Sequence, residues 1–420
     1  MNLFKSESER YTEEHLSARE AQRQAEYIAW GPIIFQVSRL MLKFGILDAL
    51  RDSMDGLTLK EIQQKTEEKM QSEAQPEVHL SEYALKILLE ASLSAGTVLI
   101  DTATDKFSLS KTGWFLLNDP ATRVNIDFNH DVNYRGMFYL EEALKEGKPA
   151  GLKTLGDWPT IYEGLSQLDP QVQKSWFGFD HFYSDHSFDK ALEIIFGKKA
   201  SDADGSLGTL GDIASSDDTV SSKPIHLMDV GGNTGRFALR CVGYDKDVNV
   251  TIVDLPGQIG MMQKNIAGKE GVERIFGFSI NILNPDNQLP KVSDVQGSAT
   301  SAALPHEKGW DAIWMSQFLD CFSEEEIYSI LSRAAKVMSK DTTLYIMETF
   351  WDRQKYEPAS LCLTMTSVYF TVMANGNSKM YHSDDLIRLV NRADLEVVKI
   401  HDGIGQGHTI LEVKLREKHS

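Results

Sequence analysis

The sequence predicts an α/β fold: a doubly wound, seven-stranded sheet with an antiparallel last strand, preceded by an α-helical region that contains a winged helix. Three observations predict it. Apolar strands and helices alternate from residue 225 onward, as in a parallel sheet. The last two strands are joined only by residues 402–407, too few for a helical crossover, so the final strand must be antiparallel. Short helices and a hairpin between Leu57 and Trp114 follow the order of a winged helix.

The elements before the sheet are predicted from apolar spacing. Residues 1–24 are charged and predict a solvated arm or helix, and Tyr27–Leu50 predicts two helices interrupted at Gly31-Pro32. Val98–Leu109 predicts a hairpin with its turn at residues 101–105. Three polar segments predict surface loops because they hold too little apolar surface to order themselves. These segments are Thr66–His79, Lys199–Pro224 and Lys291–Gly309.

The predicted domains are a helical and winged-helix domain (1–120), a helical connector lining a substrate pocket (121–198), a flexible insert (199–224) and a sheet domain (225–420). The connector is rich in aromatic residues, which can stack on a flat substrate. The predicted strands of the sheet domain are Ile225–Val230, Asn249–Asp254, Arg274–Ser279, Asp311–Ser316, Thr342–Met347, Glu396–Ile400 and His408–Leu415.

Charge and composition exclude several function classes. The net charge of −18 disfavours nucleic acid and anionic membranes, which attract basic proteins. The candidate recognition helix, Ser81–Ser92, has Lys86 as its only base. The N-terminus lacks the apolar core of a signal peptide and no long apolar run follows, which predicts a cytoplasmic protein with no membrane partner. The three cysteines lack metal-binding spacing, and we expect no metal.

The strongest motif is the run LMDVGGNTG at residues 227–235, in which a strand meets a glycine turn and a helix. Gly231, Gly232 and Gly235 let the backbone approach a ligand, but their spacing is not that of a dinucleotide site. Asp229 beneath the turn would repel a pyrophosphate and attract a cation. Asp254, at the end of the next strand, lies where a ribose is bound. A ligand with a cationic amino-acid end, a ribose and no phosphate fits both acids, which indicates S-adenosylmethionine.

With these motifs, the chain resembles the class I S-adenosylmethionine-dependent O-methyltransferases of the plant caffeate and bacterial polyketide-tailoring type. The resemblance covers about residues 25–415 and includes residues 35–50, 184–187, 229–235, 254–256 and 318–326. It implies a methyltransferase sheet and an N-terminal dimerisation domain, and therefore a homodimer. It also implies that Leu255, Asn281, Ile282, Ser316 and Gln317 lie at the adenosine, and Ser187 near the methionine carboxylate. The substrate-lining residues it suggests are Tyr183, His186, Met365 and Tyr369.

The family's catalytic histidine is absent here. The resemblance places Asp320 at its position and keeps Glu348 as the acid that orients the base. A free aspartate has a pKa near ~3.9 against ~10 for a phenol, so Asp320 needs the added basicity that burial and a neighbouring carboxylate provide. Alternatively the substrate arrives deprotonated, or Asp320 merely caps the helix that begins near Ser323.

We therefore predict a methyltransferase that acts on an oxygen of a small aromatic or polyketide- or polyene-like metabolite in secondary metabolism. Two alternatives stay open. A tailoring enzyme of the same fold could bind the cofactor without transferring its methyl group, as in hydroxylase- or decarboxylase-like relatives. A winged-helix regulator could instead sense the cofactor as a signal.

Overall fold

The computed structural model describes residues 11–72, 79–197, 226–295 and 309–417. The chain divides into two compact units. The first holds Thr12–Tyr134 and Pro170–Phe179, and the second holds Arg135–Asp169 and the described residues from Asp180 onward. The predicted connector, 121–198, thus contributes to both units, and the predicted insert, 199–224, lies outside the described residues.

The first unit begins with three helices whose breaks are encoded in the sequence. Helix α1 (Ala18–Ala29) starts at a capping box formed by Ser17 and Glu20, and α2 (Gly31–Lys43) starts with Pro32 in its first turn. The predicted interruption at Gly31-Pro32 is confirmed. A second break follows at Gly45, which has a positive φ of 70° and precedes α3 (Ile46–Arg51).

Helix α4 (Leu59–Ser72) corrects one prediction. We expected Thr66–His79 to be a loop, but the helix continues through residue 72. Ile62 is fully buried, and the buried hydroxyl of Thr66 donates to the Ile62 carbonyl at 2.6 Å. The two residues are one turn apart, so they lie on the same buried face of the helix. The polar composition of the segment did not reveal this face.

The predicted hairpin is confirmed. Helix α5 (Glu82–Ala95) is followed by strands β1 (Val98–Asp101) and β2 (Lys106–Leu109), which pair antiparallel. Leu57 pairs with Phe107 and extends the hairpin by one bridge. The unit continues with α6 (Lys111–Asn118) and α7 (Pro120–Phe128).

The second unit places its helices around the sheet. Those before the sheet are α8 (Leu140–Glu146), α9 (Ile161–Gly164), the last residues of α10 (Pro170–Ser184), and α11 (Phe188–Phe196). Those between the strands are α12 (Arg236–Tyr244), α13 (Pro256–Ile266), α14 (Glu324–Val337), α15 (Glu357–Tyr369) and α16 (Ser383–Arg392).

The seven-stranded sheet has the predicted topology. Its order is β5-β4-β3-β6-β7-β9-β8, with β3 to β7 parallel and β9 antiparallel to both neighbours. Strand β8 is longer than predicted because its hairpin with β9 continues until Ile404 pairs with His408. The strands are β3 (His226–Val230), β4 (Asn249–Asp254), β5 (Ile275–Ser279), β6 (Ala312–Ser316), β7 (Thr343–Glu348), β8 (Leu395–Ile404) and β9 (His408–Leu415).

Apolar clusters cover both faces of this sheet. Alternate residues of β6 illustrate the arrangement: Ile313 and Met315 belong to one cluster, Ala312 and Trp314 to the other. Val292 and Val295 are also buried in the first cluster, so the start of the predicted loop at Lys291–Gly309 is part of the core; residues 296–308 lie outside the described residues. None of the described helices is long and apolar enough to cross a membrane.

Candidate active site

The glycine turn between β3 and α12 leaves no room for side chains. Gly231 has a φ of 78°, and a Cβ on it would lie 2.3 Å from the ring of Phe318. A Cβ on Gly232 would lie 2.6 Å from Oδ2 of Asp229. The turn therefore folds directly over the Asp229 carboxyl, and without side chains its backbone can approach a ligand closely.

Asp229 is buried without a counter-charge. It is 3% exposed, and its Oδ2 has no hydrogen-bond partner among the described residues. Burial, followed by repulsion from Asp254, raises the pKa of Asp229 to about 8. A cation bound above it would offset both effects, which is the role that the sequence predicts for this carboxyl.

Asp254 is held differently at the end of β4. Its Oδ2 accepts the N–H of Asn233 at 2.9 Å, and its Oδ1 accepts the N–H of Leu255 at 2.7 Å. Burial raises its pKa, and these two bonds oppose that rise. Each oxygen keeps a lone pair, so the fixed carboxylate can still accept from two ribose hydroxyls.

An open cleft lies beside the turn. The structure brings five of the predicted cofactor residues together on its wall: Asp229, Gly231, Gly232, Ser316 and Gln317. Gln317 has a positive φ of 45°, and its buried Oε1 has no partner among the described residues.

The other predicted cofactor residues lie outside this wall. Gly235 packs on α13, where a Cβ would lie 3.0 Å from Met262. Leu255 is half-buried, Ile282 packs against the core, and Asn281 is exposed, with its Oδ1 accepting the N–H of Leu283 at 3.0 Å. The adenosine roles assigned to Leu255, Asn281 and Ile282 stay predictions.

The structure does not place Ser187 on the cleft wall. Its side chain is fully buried, and its hydroxyl donates to the Ser184 carbonyl at 2.5 Å. Gly405, in the β8–β9 hairpin, covers it: a Cβ there would lie 2.9 Å from the Cα of Ser187. This burial counts against the predicted contact of Ser187 with a carboxylate.

Sequence reasoning missed the residues that do line this side of the cleft. They are Asp180, His181, Ser184, Asp185 and Arg236. The first four recur at helical spacing at the end of α10, and that spacing was the available signal. Arg236 pairs with Asp185 at 2.5 Å and contacts Nδ1 of His181 at 3.0 Å.

The candidate catalytic acids, Asp320 and Glu348, lie together at the ends of β6 and β7. Glu348 is 3% exposed, and its Oε1 accepts the N–H groups of Phe318 at 3.1 Å and Leu319 at 2.8 Å. Burial, followed by repulsion from Asp320, raises the pKa of Glu348 well above its usual value. Glu348 thus holds the turn that carries Asp320.

Asp320 occupies a single helical turn, Leu319–Cys321, and does not cap α14. The cap is formed by Ser323 and Glu326, whose side chains and backbone N–H groups bond reciprocally. Asp320 is 6% exposed, and burial raises its pKa, while the nearby thiol of Cys321, at 3.5 Å, lowers it.

Two further groups face this turn. The buried hydroxyl of Tyr162 lies near Cys321 and Asp320 without a hydrogen-bond partner among the described residues. Burial, followed by repulsion from Asp320 and Asp185, raises the pKa of Asp180 to about 7. Asp180 therefore connects the cleft wall with the candidate catalytic acids.

The predicted substrate residues differ in exposure. Tyr369 is 4% exposed and lies near the Tyr162 hydroxyl, and Tyr183 is half-buried. Met365 is 57% exposed, and His186 is exposed with its Nδ1 3.0 Å from the Phe182 carbonyl oxygen. Their contacts with a substrate stay predictions.

Known proteins are similar to this chain in both regions. Residues 22–107 match the Dimerisation2-like domain. O-methyltransferase pgmB of Aspergillus terreus is 25% identical over 195 residues, which are 46% of this chain and 40% of that protein. The matched part therefore spans less than half the length of that relative.

Several solved structures share the fold over nearly the whole chain. The S-adenosylmethionine-dependent methyltransferase SibL has a TM-score of 0.61 and 16% identity, covering 93% of this chain and 98% of its own. Mitomycin 7-O-methyltransferase MmcR has a TM-score of 0.60 and 14% identity, covering 94% and 98%. The O-methyltransferase NcsB1, in complex with S-adenosyl-L-homocysteine and 1,4-dihydroxy-2-naphthoic acid, has a TM-score of 0.59 and 16% identity, covering 96% and 99%.

At these identities the structural likeness is one of fold, and the domain match adds the N-terminal region. The resemblance predicted from the motifs is confirmed in both parts: the chain carries a Dimerisation2-like domain and has the fold of the S-adenosylmethionine-dependent methyltransferases.

Proposed function

We propose that this chain transfers the methyl group of S-adenosylmethionine to an oxygen of a small aromatic or polyketide-like metabolite, as a tailoring step of secondary metabolism. One observation carries the proposal: the buried carboxyl of Asp229 lies beneath a glycine turn and lines the cleft, and its Oδ2 has no hydrogen-bond partner among the described residues. Such a carboxyl favours a cation, and a dinucleotide phosphate in its place would be repelled. The O-methyltransferase relative and the folds above support the same function.

The residues present fit this cofactor. Asp229 would take its ammonium group, and Asp254 its ribose hydroxyls, for which the carboxylate is already oriented by two backbone N–H groups. Arg236, which lines the same wall, is a better candidate for the methionine carboxylate than the buried Ser187. When bound, the cofactor supplies a methyl group on a positively charged sulfur, open to in-line attack by a nucleophile.

The remaining requirement is a nucleophilic oxygen. Methyl transfer breaks the sulfur–carbon bond, leaves its electron pair on sulfur and forms a carbon–oxygen bond, so the acceptor's proton must leave. We infer that Asp320 takes this proton, because burial makes its carboxylate more basic than a solvated one. Glu348 acts as a positioning residue through the backbone N–H groups that it binds.

Incubation of the protein with methyl-labelled S-adenosylmethionine and small-molecule extracts of its source cells tests the proposal. Label transfer to a metabolite that Asp229→Asn abolishes would support it. Cofactor-dependent loss of a metabolite without label transfer would instead support the non-methylating tailoring enzyme. Retention on DNA that depends on the cofactor would support the regulator.

We also propose that the protein is a homodimer formed through its Dimerisation2-like domain. Within the matched segment, several large apolar side chains are exposed, and a second copy of the chain could cover them. Sedimentation of the protein should give a dimer, which Trp30→Glu should weaken. Phe138→Glu, which changes an aromatic residue that is 94% exposed outside that domain, is the matched control. A wild-type monomer of 47.2 kDa at micromolar concentration would contradict the proposal. The exposed side chains are Ile28, Trp30, Ile33, Tyr83 and Ile87.

A further inference from the structure

One wall of the cleft holds more carboxyl groups than the ammonium group of the methyl donor can pair with. Asp180 and Asp185 lie on this wall together with Asp229. Arg236 pairs with Asp185 at 2.5 Å. Within the described ranges, no basic side chain forms an ion pair with Asp180 or with Asp320.

The surroundings of Asp180 make its charge depend on what enters the cleft. It faces the carboxyls of Asp320 and Asp185, and among the described residues the guanidinium of Arg236 is the one charged group that favours its ionised form. Burial, followed by repulsion from these carboxyls, raises the pKa of Asp180 to about 7. Behind Asp320 lie Glu348, Cys321 and Tyr162, and beside Arg236 lies His181.

A second observation indicates that a cation belongs here. Asp229, on the same wall, is 3% exposed, and its Oδ2 has no partner among the described residues. One ammonium group can satisfy Asp229, but it leaves Asp180 and Asp320 without an ion pair among the described residues. The methyl donor carries a second positive charge, on its sulfur.

We propose that Asp180, together with Asp320, recognises the positive charge on the sulfur of the methyl donor and thereby makes the site prefer the charged donor over its neutral product. The inference rests on the proposed function, since the donor must bind in this cleft. Loss of the sulfur's charge on transfer removes an attraction between opposite charges from the product complex. Product release would then be favoured by the same acids that bind the donor.

S-adenosylmethionine and S-adenosylhomocysteine are matched probes, because they differ by the transferred methyl group and its charge. Calorimetric titration of the full chain with each ligand at pH 5.5 and pH 8.5 gives the ratio of their affinities. We expect the preference for S-adenosylmethionine to increase about tenfold over this range, as the pair loses its proton. Asp180→Asn should remove most of this increase, and Asp180→Glu should restore it.

Asp189→Asn is the control. Asp189 is an exposed acid that pairs with Arg240, and neither residue lines the cleft. This variant should behave as the wild type. A readout that needs no variant is the proton balance: near pH 7, binding of S-adenosylmethionine should release more protons than binding of S-adenosylhomocysteine, measured in two buffers of different ionisation enthalpy.

The outcomes separate the two proposals. Equal proton release for both ligands, with an affinity ratio that does not change with pH, would overturn the role of Asp180 while leaving the methyltransferase proposal intact. If neither ligand binds to the wild type, the proposed function itself fails.

Discussion

Two pairs of acids, Asp229 with Asp254 and Asp320 with Glu348, share one arrangement. In each pair one acid is fixed by two backbone N–H groups: Asp254 by those of Asn233 and Leu255, Glu348 by those of Phe318 and Leu319. The other acid is not fixed in this way: Oδ2 of Asp229 has no hydrogen-bond partner among the described residues, and Asp320 accepts only the Cys321 thiol, at 3.5 Å, from the described side chains. The comparison indicates that the acid fixed by backbone N–H groups shapes the site, and that the other acid interacts with a ligand.

The largest expected effect comes from Asp320. Asp320→Asn keeps the side chain's shape but removes its basicity, so turnover should fall on the order of 10²–10⁴-fold. Affinity for S-adenosylmethionine should change far less, because the variant keeps Asp229 and Asp254 and the carboxyl of Asp180. Since burial raises the pKa of Asp320, wild-type turnover should increase with pH as this carboxyl loses its proton, and the variant should lose that limb. A change in turnover of less than about threefold would remove Asp320 as the base, and Asp320→His tests whether the usual base can replace it.

In the cofactor pair, the decisive change is Asp254→Ala. It removes the acceptor for two ribose hydroxyls and for the N–H groups of Asn233 and Leu255. Binding of S-adenosylmethionine should weaken by about 2–4 kcal/mol, measured by calorimetry. Asp254→Asn, which keeps one acceptor oxygen, should lose less. Unchanged affinity in both variants would mean that Asp254 shapes the turn without touching the cofactor.

The two pairs also show how far the sequence could predict this molecule. The strands were predictable because those buried on both faces are continuous apolar runs, and Asn249–Asp254 was located to the residue. Asp229 and Asp254 were predictable because each ends or nearly ends such a strand, whereas Glu348 was implied by the family resemblance. All of these signals are local in sequence.

The missed residues depend on contacts between distant segments. Asp180 lies on a helix, and residue spacing alone does not distinguish a helix face that lines a cleft from one that is buried in the core. Its proximity to Asp320 and Asp185 could therefore not be inferred from the sequence. Ser187 is buried because Gly405, more than two hundred residues later, approaches its backbone. No periodicity near residue 187 encodes that approach.

Glu348 tests the fixed member of the catalytic pair. Glu348→Ala leaves two buried N–H groups, of Phe318 and Leu319, without an acceptor. The free energy of unfolding should fall by about 1–3 kcal/mol, measured by denaturant titration. Glu348→Gln retains a carbonyl oxygen for both bonds and should keep most of the stability. If the alanine variant is as stable as the glutamine variant, the two bonds do not hold the turn, and a direct role of Glu348 in proton transfer would be the better interpretation.

The smallest expected effect comes from Ser323, and it tests whether Asp320 acts as a helix cap. Ser323 caps α14 by accepting the N–H of Glu326, so Ser323→Ala should lower the free energy of unfolding by about 1 kcal/mol and leave turnover nearly unchanged. Asp320→Asn should do the reverse, because Asp320 lies one turn before the cap and binds none of the helix's N–H groups in the described structure. Both are measured by denaturant titration and by turnover on the same preparations. If Asp320→Asn destabilised the protein as much as Ser323→Ala did, Asp320 would be a structural acid like Glu348. The contrast between an acid fixed by backbone N–H groups and one that is not would then hold only for Asp254 and Asp229.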